Sequence, residues 1–229
     1  MSLKQRSQYF MTVDCVIFGY SQGQLMVALI ERKNEPFKGK WAIPGGFVEG
    51  DETVDEAAAR ELQEETGLHD IYLEQFHVFS DPERDPRGRV ITVAFFALIN
   101  SDQIELVATE DALEAKWYPA YNIPDLAFDH NAIYEKALEE LRLAVSIKPL
   151  VFELLPGKFT LTMLQNIYEQ IFGFTIDKRN FRKKILKMDF IQETKYLTKG
   201  DQQRPAKLYQ FNKKRFIKND TRTVNSIFF

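Results

Sequence analysis

One run of residues constrains this 229-residue chain more than any other: Gly46, five residues, Glu52, seven residues, then Arg60-Glu61-Leu62-Gln63-Glu64-Glu65-Thr66-Gly67-Leu68. Residues three and four apart share one face of a helix, so Glu61 stands with Glu64 and Glu65. Thr53 and Glu56 make a capping box at the start of that helix, and Gly67 sits where a left-handed stop belongs. Val54, Ala58 and Leu62 fall on the opposite side and anchor the helix to a sheet. Glutamates at helical spacing usually mark no more than a solvated face, but here every fixed position of a long pattern is filled. Three carboxylates so close repel one another unless a cation lies among them. Mg²⁺, or Mn²⁺, accepts carboxylate oxygens while keeping waters and substrate phosphates in its shell. Arg60 would orient the carboxylates, and Gly46 would let the preceding loop pack tightly.

The flanking sequence supplies the sheet. Phe10–Tyr20 and Gln24–Glu31 read as paired strands around a Ser21-Gln22-Gly23 turn, and Pro44-Gly45-Gly46 bends the chain before the helix. Ile71–Phe79 and Val90–Leu98 read as strands around a polar loop, Ser80–Arg89, and Ala115–Tyr118 as a shorter one. Asp129–Val145 has helical spacing. The expected class is mixed α/β, with helices packed on a sheet.

The formal net charge of −3 conceals a division. Residues 1–146 hold 13 Lys+Arg against 26 Asp+Glu, a balance of −13, and residues 147–229 hold 17 against 7, a balance of +10. The expected domains are therefore 1–146, acidic and suited to metal, and 147–229, basic and suited to phosphate backbones. No stretch approaches the roughly 18 consecutive apolar residues of a membrane span, and the polar N-terminus, with Lys4 and Arg6, lacks a signal peptide's apolar core. The single cysteine, Cys15, lies in an apolar run; it predicts a small core residue and a cytoplasmic location. His69, His77 and His130 are scattered and predict surface or satisfied core groups rather than a metal cluster.

In the basic half, Pro149–Leu155 is apolar, Thr162 and Gln165 suggest a capping box for a helix ending at Gly173, and Asp177 caps another over Lys178–Met188. Phe190–Tyr196 and Lys207–Phe211 read as strands around a polar hairpin, Leu197–Ala206. Helix, helix, helix, strand, loop, strand is the order of a winged helix-turn-helix. Phe181, Ile185 and Met188 would hold down the second helix, leaving Lys178, Arg179, Asn180, Arg182, Lys183 and Lys187 for a major groove, where phosphate contacts dominate affinity. Arg204 and Lys207 would let the wing touch the backbone, and Thr160 and Thr162 would meet phosphate from the preceding helix.

The full spacing pattern is that of the Nudix box, and the first domain resembles the Nudix superfamily. The resemblance implies a mixed sheet between helices, and hydrolysis in which metal-activated water attacks one phosphorus of a nucleoside diphosphate linked to another group. It makes Glu61, Glu64 and Glu65 the metal ligands, Arg60 their partner, and one glutamate the base. A further acid is expected from a later loop, with Glu110 and Glu114 the candidates. Pro82 stands about where ADP-ribose pyrophosphatases carry a proline. Asp85-Pro86-Arg87-Gly88-Arg89 also looks like their loop, so Arg87 and Arg89 would pair with diphosphate oxygens.

From about Val13 to Phe211, including Leu126-Ala127-Phe128-Asp129-His130, the chain resembles the Nudix-related transcriptional regulators of the NrtR family. That implies a homodimer that binds double-stranded DNA and answers to ADP-ribose or a pentose. Many such regulators have lost parts of the box, whereas this chain keeps all of it. The first expectation is a DNA-binding regulator whose Nudix domain binds an ADP-ribose-like ligand and has the residues to cleave it. The alternatives are a pyrophosphatase whose C-terminal domain is a dimerisation or lid module, and a pentose-responsive regulator.

Overall fold

The computed structural model describes residues 8–102, 104–108, 112–198 and 205–218. Strand β1 (Phe10–Ser21) is almost wholly buried and forms the middle of a seven-stranded sheet. The path through that sheet runs β3 (Trp41–Ala42), β2 (Gln24–Arg32), β1, β6 (Val90–Asn100), β5 (Glu74–Phe79). Two further strands join it: β4 (Gly45–Phe47) antiparallel to β1, and β7 (Ala112–Pro119) antiparallel to β2. Near-continuous apolar runs in β1, β2 and β6 fit strands covered on both faces. The β1–β2 hairpin closes through Gln22 and Gly23, both at positive φ (51° and 83°), the pair of conformations a tight two-residue hairpin turn demands.

Helix α1 (Val54–Thr66) carries the expected capping box between Thr53 and Glu56, and ends on Gly67 at φ 73°. Ala57, Ala58 and Leu62 are buried beneath it. Helix α2 (His130–Ile147) follows β7. The chain divides into two compact units, one of Met1–Phe18, Met26–Ala97 and Ile104–Leu138, the other of Gly19–Leu25, Leu98–Gln103 and Glu139–Phe229. The division falls inside α2, and the second unit takes in the β1–β2 hairpin tip and the end of β6.

In the second unit a 3₁₀ helix (Pro149–Leu154) precedes α3 (Leu161–Phe172), α4 (Lys178–Ile185) and the ribbon of β8 (Ile191–Leu197) with β9 (Lys207–Phe211). Phe159 pairs with Tyr209 in both directions, adding a third short partner to the ribbon. Aromatic rings pin ribbon to helices: Phe152 stacks on Phe211 at 4.3 Å, and Phe190 meets Phe211 edge-on at 5.9 Å. A last helix, α5 (Lys213–Lys218), lies in the tail, for which no element was expected. Two local expectations are corrected. The cap of α3 is Thr160, which accepts from the Met163 N–H, and not Thr162; Gln165 turns inward to donate to Glu169 and the Ile176 carbonyl. Helix α4 stops at Ile185, because Lys187 and Met188 bond three residues back and tighten the turn. Among the described residues no helix is long and apolar enough to cross a membrane.

Candidate functional site

The acidic side of the site is built by α1 and the Gly45–Gly46 turn. Gly45 lies at φ 155°, and a Cβ there would strike the Val13 carbonyl; one on Gly46 would strike the Glu61 carboxylate. Glycine is therefore required at Gly45, where backbone approaches backbone too closely for any side chain, whereas a side chain at Gly46 would displace the Glu61 carboxylate. Glu65 is buried and accepts from the Gly45 N–H at 2.7 Å. Burial raises its pKa well above the ordinary carboxylate range, helped by Glu61 and Asp14 and opposed by the Gly45 N–H and Arg32. Arg60 ties the rest together, reaching Glu52 at 2.6 Å, Glu61 at 2.9 Å, Glu64 at 3.0 Å and the Phe47 carbonyl at 2.9 Å. Those carboxylates, Glu52 foremost, hold its proton more tightly than an ordinary arginine's.

The donor chemistry here suits a hard divalent cation: three glutamates on one helix, two of them, Glu61 and Glu65, buried. Among the described residues no three His, Cys, Asp or Glu side chains converge as a ready-made cage; Arg60 bridges Glu61 and Glu64 instead. Glu114 pairs with Lys116 at 2.9 Å on β7, and Glu110 lies outside the described residues.

A small cleft opens beside the same turn, lined by Thr12, Asp14, Arg32, Gly45, Gly46, Arg84, Asp85, Arg87, Phe128 and His130. Arg84 is buried, bidentate on Asp129 (2.8 and 2.9 Å) and 3.4 Å from Asp14. His130 is buried too; its Nδ1 accepts from the Ile43 N–H at 3.0 Å, and its Nε2 lies 3.4 Å from Asp14. Burial lowers its pKa, Asp14 and Asp129 pulling the other way. Arg87 is held by Asp85 at 2.7 Å and lies over the rings of Phe47 (4.7 Å) and Phe128 (5.2 Å). Arg32 is half-buried; it donates to the carbonyls of Pro36 (2.9 Å) and Asn34 (3.3 Å), and packs over Phe128 at 4.7 Å. Burial and the neighbouring Arg87 lower its pKa, with Glu65, Asp85 and Asp14 pulling the other way.

Of the residues singled out for a ligand, the structure brings Gly46 and Arg87 to the cleft. Arg89 turns to the Ser80 carbonyl at 2.7 Å, and Pro82 is exposed on the loop; neither lines the cleft. Sequence reasoning missed Thr12, Asp14, Arg32, Arg84, Phe128 and the part played by His130. Only Asp14 carried a signal, an acid in the middle of an apolar strand. Cys15 is a core residue, its thiol donating to the Ala58 carbonyl and its pKa raised well above normal, first by burial.

On the second unit, Phe181, Ile185 and Met188 are buried, while Lys178, Arg179, Asn180, Lys183, Lys184 and Lys187 are exposed. Asp177 accepts from the Asn180 N–H and starts α4. Arg182 donates to Thr162 at 3.3 Å and, with Thr160, Thr162 and Lys207, lines a second cleft. Lys207 is paired with Glu193 at 2.6 Å, and Arg204 lies outside the described residues.

Fold and site together define a class: a sheet-and-helix domain carrying a complete Nudix box, followed by a winged helix with a cationic second helix. The NUDIX domain family matches residues 8–141, and the NrtR DNA-binding winged helix domain matches residues 151–211. The chain belongs to the NrtR family of Nudix-related regulators. It is 41% identical, over 90% of its length and 85% of the relative's, to the ADPR responsive transcriptional repressor NtrR of Acinetobacter baylyi. It resembles Shewanella oneidensis NrtR solved with a 27mer DNA, at TM-score 0.75 and 32% identity, covering 93% of this chain and 95% of that one. The NUDIX domain of the same Shewanella protein, solved with ADP ribose, matches at TM-score 0.56 and 34% identity, covering 62% of this chain and 94% of that one. An ADP-ribose pyrophosphatase from Methanocaldococcus jannaschii is 50% identical over 47% of this chain and 62% of that protein.

Proposed function

We propose that this chain is a DNA-binding transcriptional regulator that responds to an ADP-ribose-like nucleoside diphosphate held in the NUDIX cleft. One observation carries the reading: the match to an ADPR responsive repressor runs along both halves of the chain at once. The domains are 1–146 for the ligand and 147–229 for DNA. Lys178, Arg179, Asn180 and Lys183 read the major groove from α4, and Arg182, Lys187, Arg204 and Lys207 meet phosphates. A homodimer presents two such helices to two half-sites. Glu61, Glu64 and Glu65 hold Mg²⁺ or Mn²⁺, which when bound supplies an activated water and neutralises charge on the leaving phosphate. Ligand changes DNA affinity only as far as it prefers one conformation of the protein over another.

A second reading, hydrolysis of that ligand, is favoured by the intact box and by the Arg60 clamp on Glu52, Glu61 and Glu64. The test of the main reading is selection of bound sequences from random duplex DNA by the full chain, followed by titration of the complex with ADP-ribose. A selected motif whose occupancy shifts with ADP-ribose is the expected result. A motif indifferent to ADP-ribose but sensitive to a pentose would replace the ligand class, and no selected motif would leave only the enzyme.

A further inference from the structure

Strands β1 and β2 each serve two places. Thr12 and Asp14 on β1, and Arg32 on β2, line the cleft beside the Gly45–Gly46 turn. Tyr20 follows Thr12 along β1, and Leu25 precedes Arg32 along β2, each roughly 23–26 Å of strand away. The turn that joins the strands, Gln22-Gly23, is exposed, yet Tyr20 and Leu25 on either side of it are buried. Both fall in the second unit, with the winged helix. There Asn166 on α3 hydrogen-bonds the Tyr20 side chain, and the Leu25 N–H donates to Gln170 Oε1 at 3.4 Å. Asn166 and Gln170 are four residues apart and share one face of α3. The same helix meets α4: Arg182 donates to Thr162 at 3.3 Å, and the Tyr168 and Phe181 rings lie edge to face at 6.0 Å. The bonds that fasten the hairpin are polar, and 3.4 Å is long against the usual range of about 2.7–3.2 Å. Such bonds cost little to make or break, whereas buried, paired strands shift as a body.

We propose that the β1–β2 hairpin is the lever through which occupancy of the NUDIX cleft reaches the DNA-binding domain. Tyr20 and Leu25 bear on Asn166 and Gln170, set the tilt of α3, and so aim α4. Ligand favours one setting of the lever and DNA the other, which is what coupling between two sites requires. This lever rests on the reading of the chain as an ADP-ribose-responsive regulator and supplies the route of the response. Helix α2 is the competing route, since it starts at His130 in the cleft and carries Arg142, which donates to the Ile171 carbonyl at 2.9 Å. That carbonyl is among the last four of α3, which lack helical partners and need a donor in any ligand state. The Arg142 bond is therefore a cap that holds α3 in place.

The test uses the full chain and its selected duplex, with DNA affinity measured by anisotropy with and without saturating ADP-ribose. In the wild type the ligand should change the DNA dissociation constant by about 5- to 150-fold, the usual span for coupled sites. Tyr20→Phe with Gln170→Leu keeps the shapes and removes the polar bonds; the change should then fall to about 2-fold or less. Coupling is reciprocal, so the effect of duplex on ADP-ribose affinity, read by calorimetry, should collapse by the same factor. A purely structural role for the pair would lower the melting temperature and leave both ratios as they were. Arg142→Gln should keep the wild-type ratio. Should the double variant fail to fold, Gln170→Leu alone should still lower the ratio, and an unchanged ratio there overturns the lever. An unchanged ratio in a folded double variant overturns the lever but leaves the regulator standing. Loss of the ratio in Arg142→Gln alone moves the route to α2 and overturns it as well. Wild-type DNA binding that ignores ADP-ribose overturns the regulator reading, and the lever with it.

Discussion

Arg84 and His130 are buried for different reasons, and each makes a measurable difference to stability. Arg84 neutralises Asp129 and Asp14 at once, with its side chain only 4% exposed. Replacing one partner of a buried ion pair leaves the others uncompensated, so Arg84→Met should cost about 3–5 kcal/mol in denaturant unfolding. A cost below about 1 kcal/mol would mean that water reaches Asp14 and Asp129 without it. His130 stays neutral when folded, since burial lowers its pKa. The unfolded imidazole titrates near ~6.5, so as pH falls below that value the unfolded chain takes up a proton that the folded one refuses, and stability is lost. Glu65 works in the opposite sense: its raised pKa lets the folded protein bind a proton first, adding stability as pH falls towards the ordinary carboxylate value. Comparison with His130→Asn, whose Oδ1 can still accept from Ile43, isolates the histidine. Unfolding free energy should fall less steeply in the variant between about pH 7 and 5.5; parallel curves would show that His130 titrates alike in both states.

Helix α4 separates what its own residues determine from what its neighbours determine. Phe181, Ile185 and Met188, at helical spacing, are the residues the structure buries, and the cations between them are exposed. Arg179 and Lys183 lie one turn apart on that exposed face. Arg179→Ala with Lys183→Ala should weaken DNA binding and reduce the slope of log affinity against log salt by about 2, with no loss of fold by circular dichroism. An unchanged slope would place the duplex on another surface. Helix starts and stops written in local chemistry, such as the Thr53–Glu56 box and Gly67, were legible in the chain. The α3 cap was not: Thr160 and Thr162 both precede an apolar run, and what decides between them is Gln165, drawn inward by Glu169 and the Ile176 carbonyl. The candidate site was legible on one side only. Its glutamates lie within one contiguous pattern, whereas Thr12, Asp14, Arg32, Arg84 and His130 of the neighbouring cleft come from separate segments that only the sheet brings together.

At the scale of the whole molecule the open question is whether the signal is read or consumed. The charge divides along the chain, −13 for residues 1–146 and +10 for residues 147–229, and on the proposed reading a change in the carboxylates need not disturb the DNA-binding surface. Glu64 suits the experiment, because it is the most exposed of the three glutamates and its loss leaves the Arg60 bonds to Glu52 and Glu61 in place. Glu64→Gln should abolish metal-dependent turnover of ADP-ribose while leaving DNA affinity unchanged. The two activities then become separable in time. A pulse of ADP-ribose added to the wild-type DNA complex with Mg²⁺ should shift fluorescence anisotropy and then let it return as ligand is cleaved. In Glu64→Gln the same pulse should produce a shift that persists, since binding survives and consumption does not. A lasting shift in both proteins would identify a sensor that keeps its box without using it. Loss of DNA binding in Glu64→Gln would instead show that the acidic site supports the DNA-bound state directly.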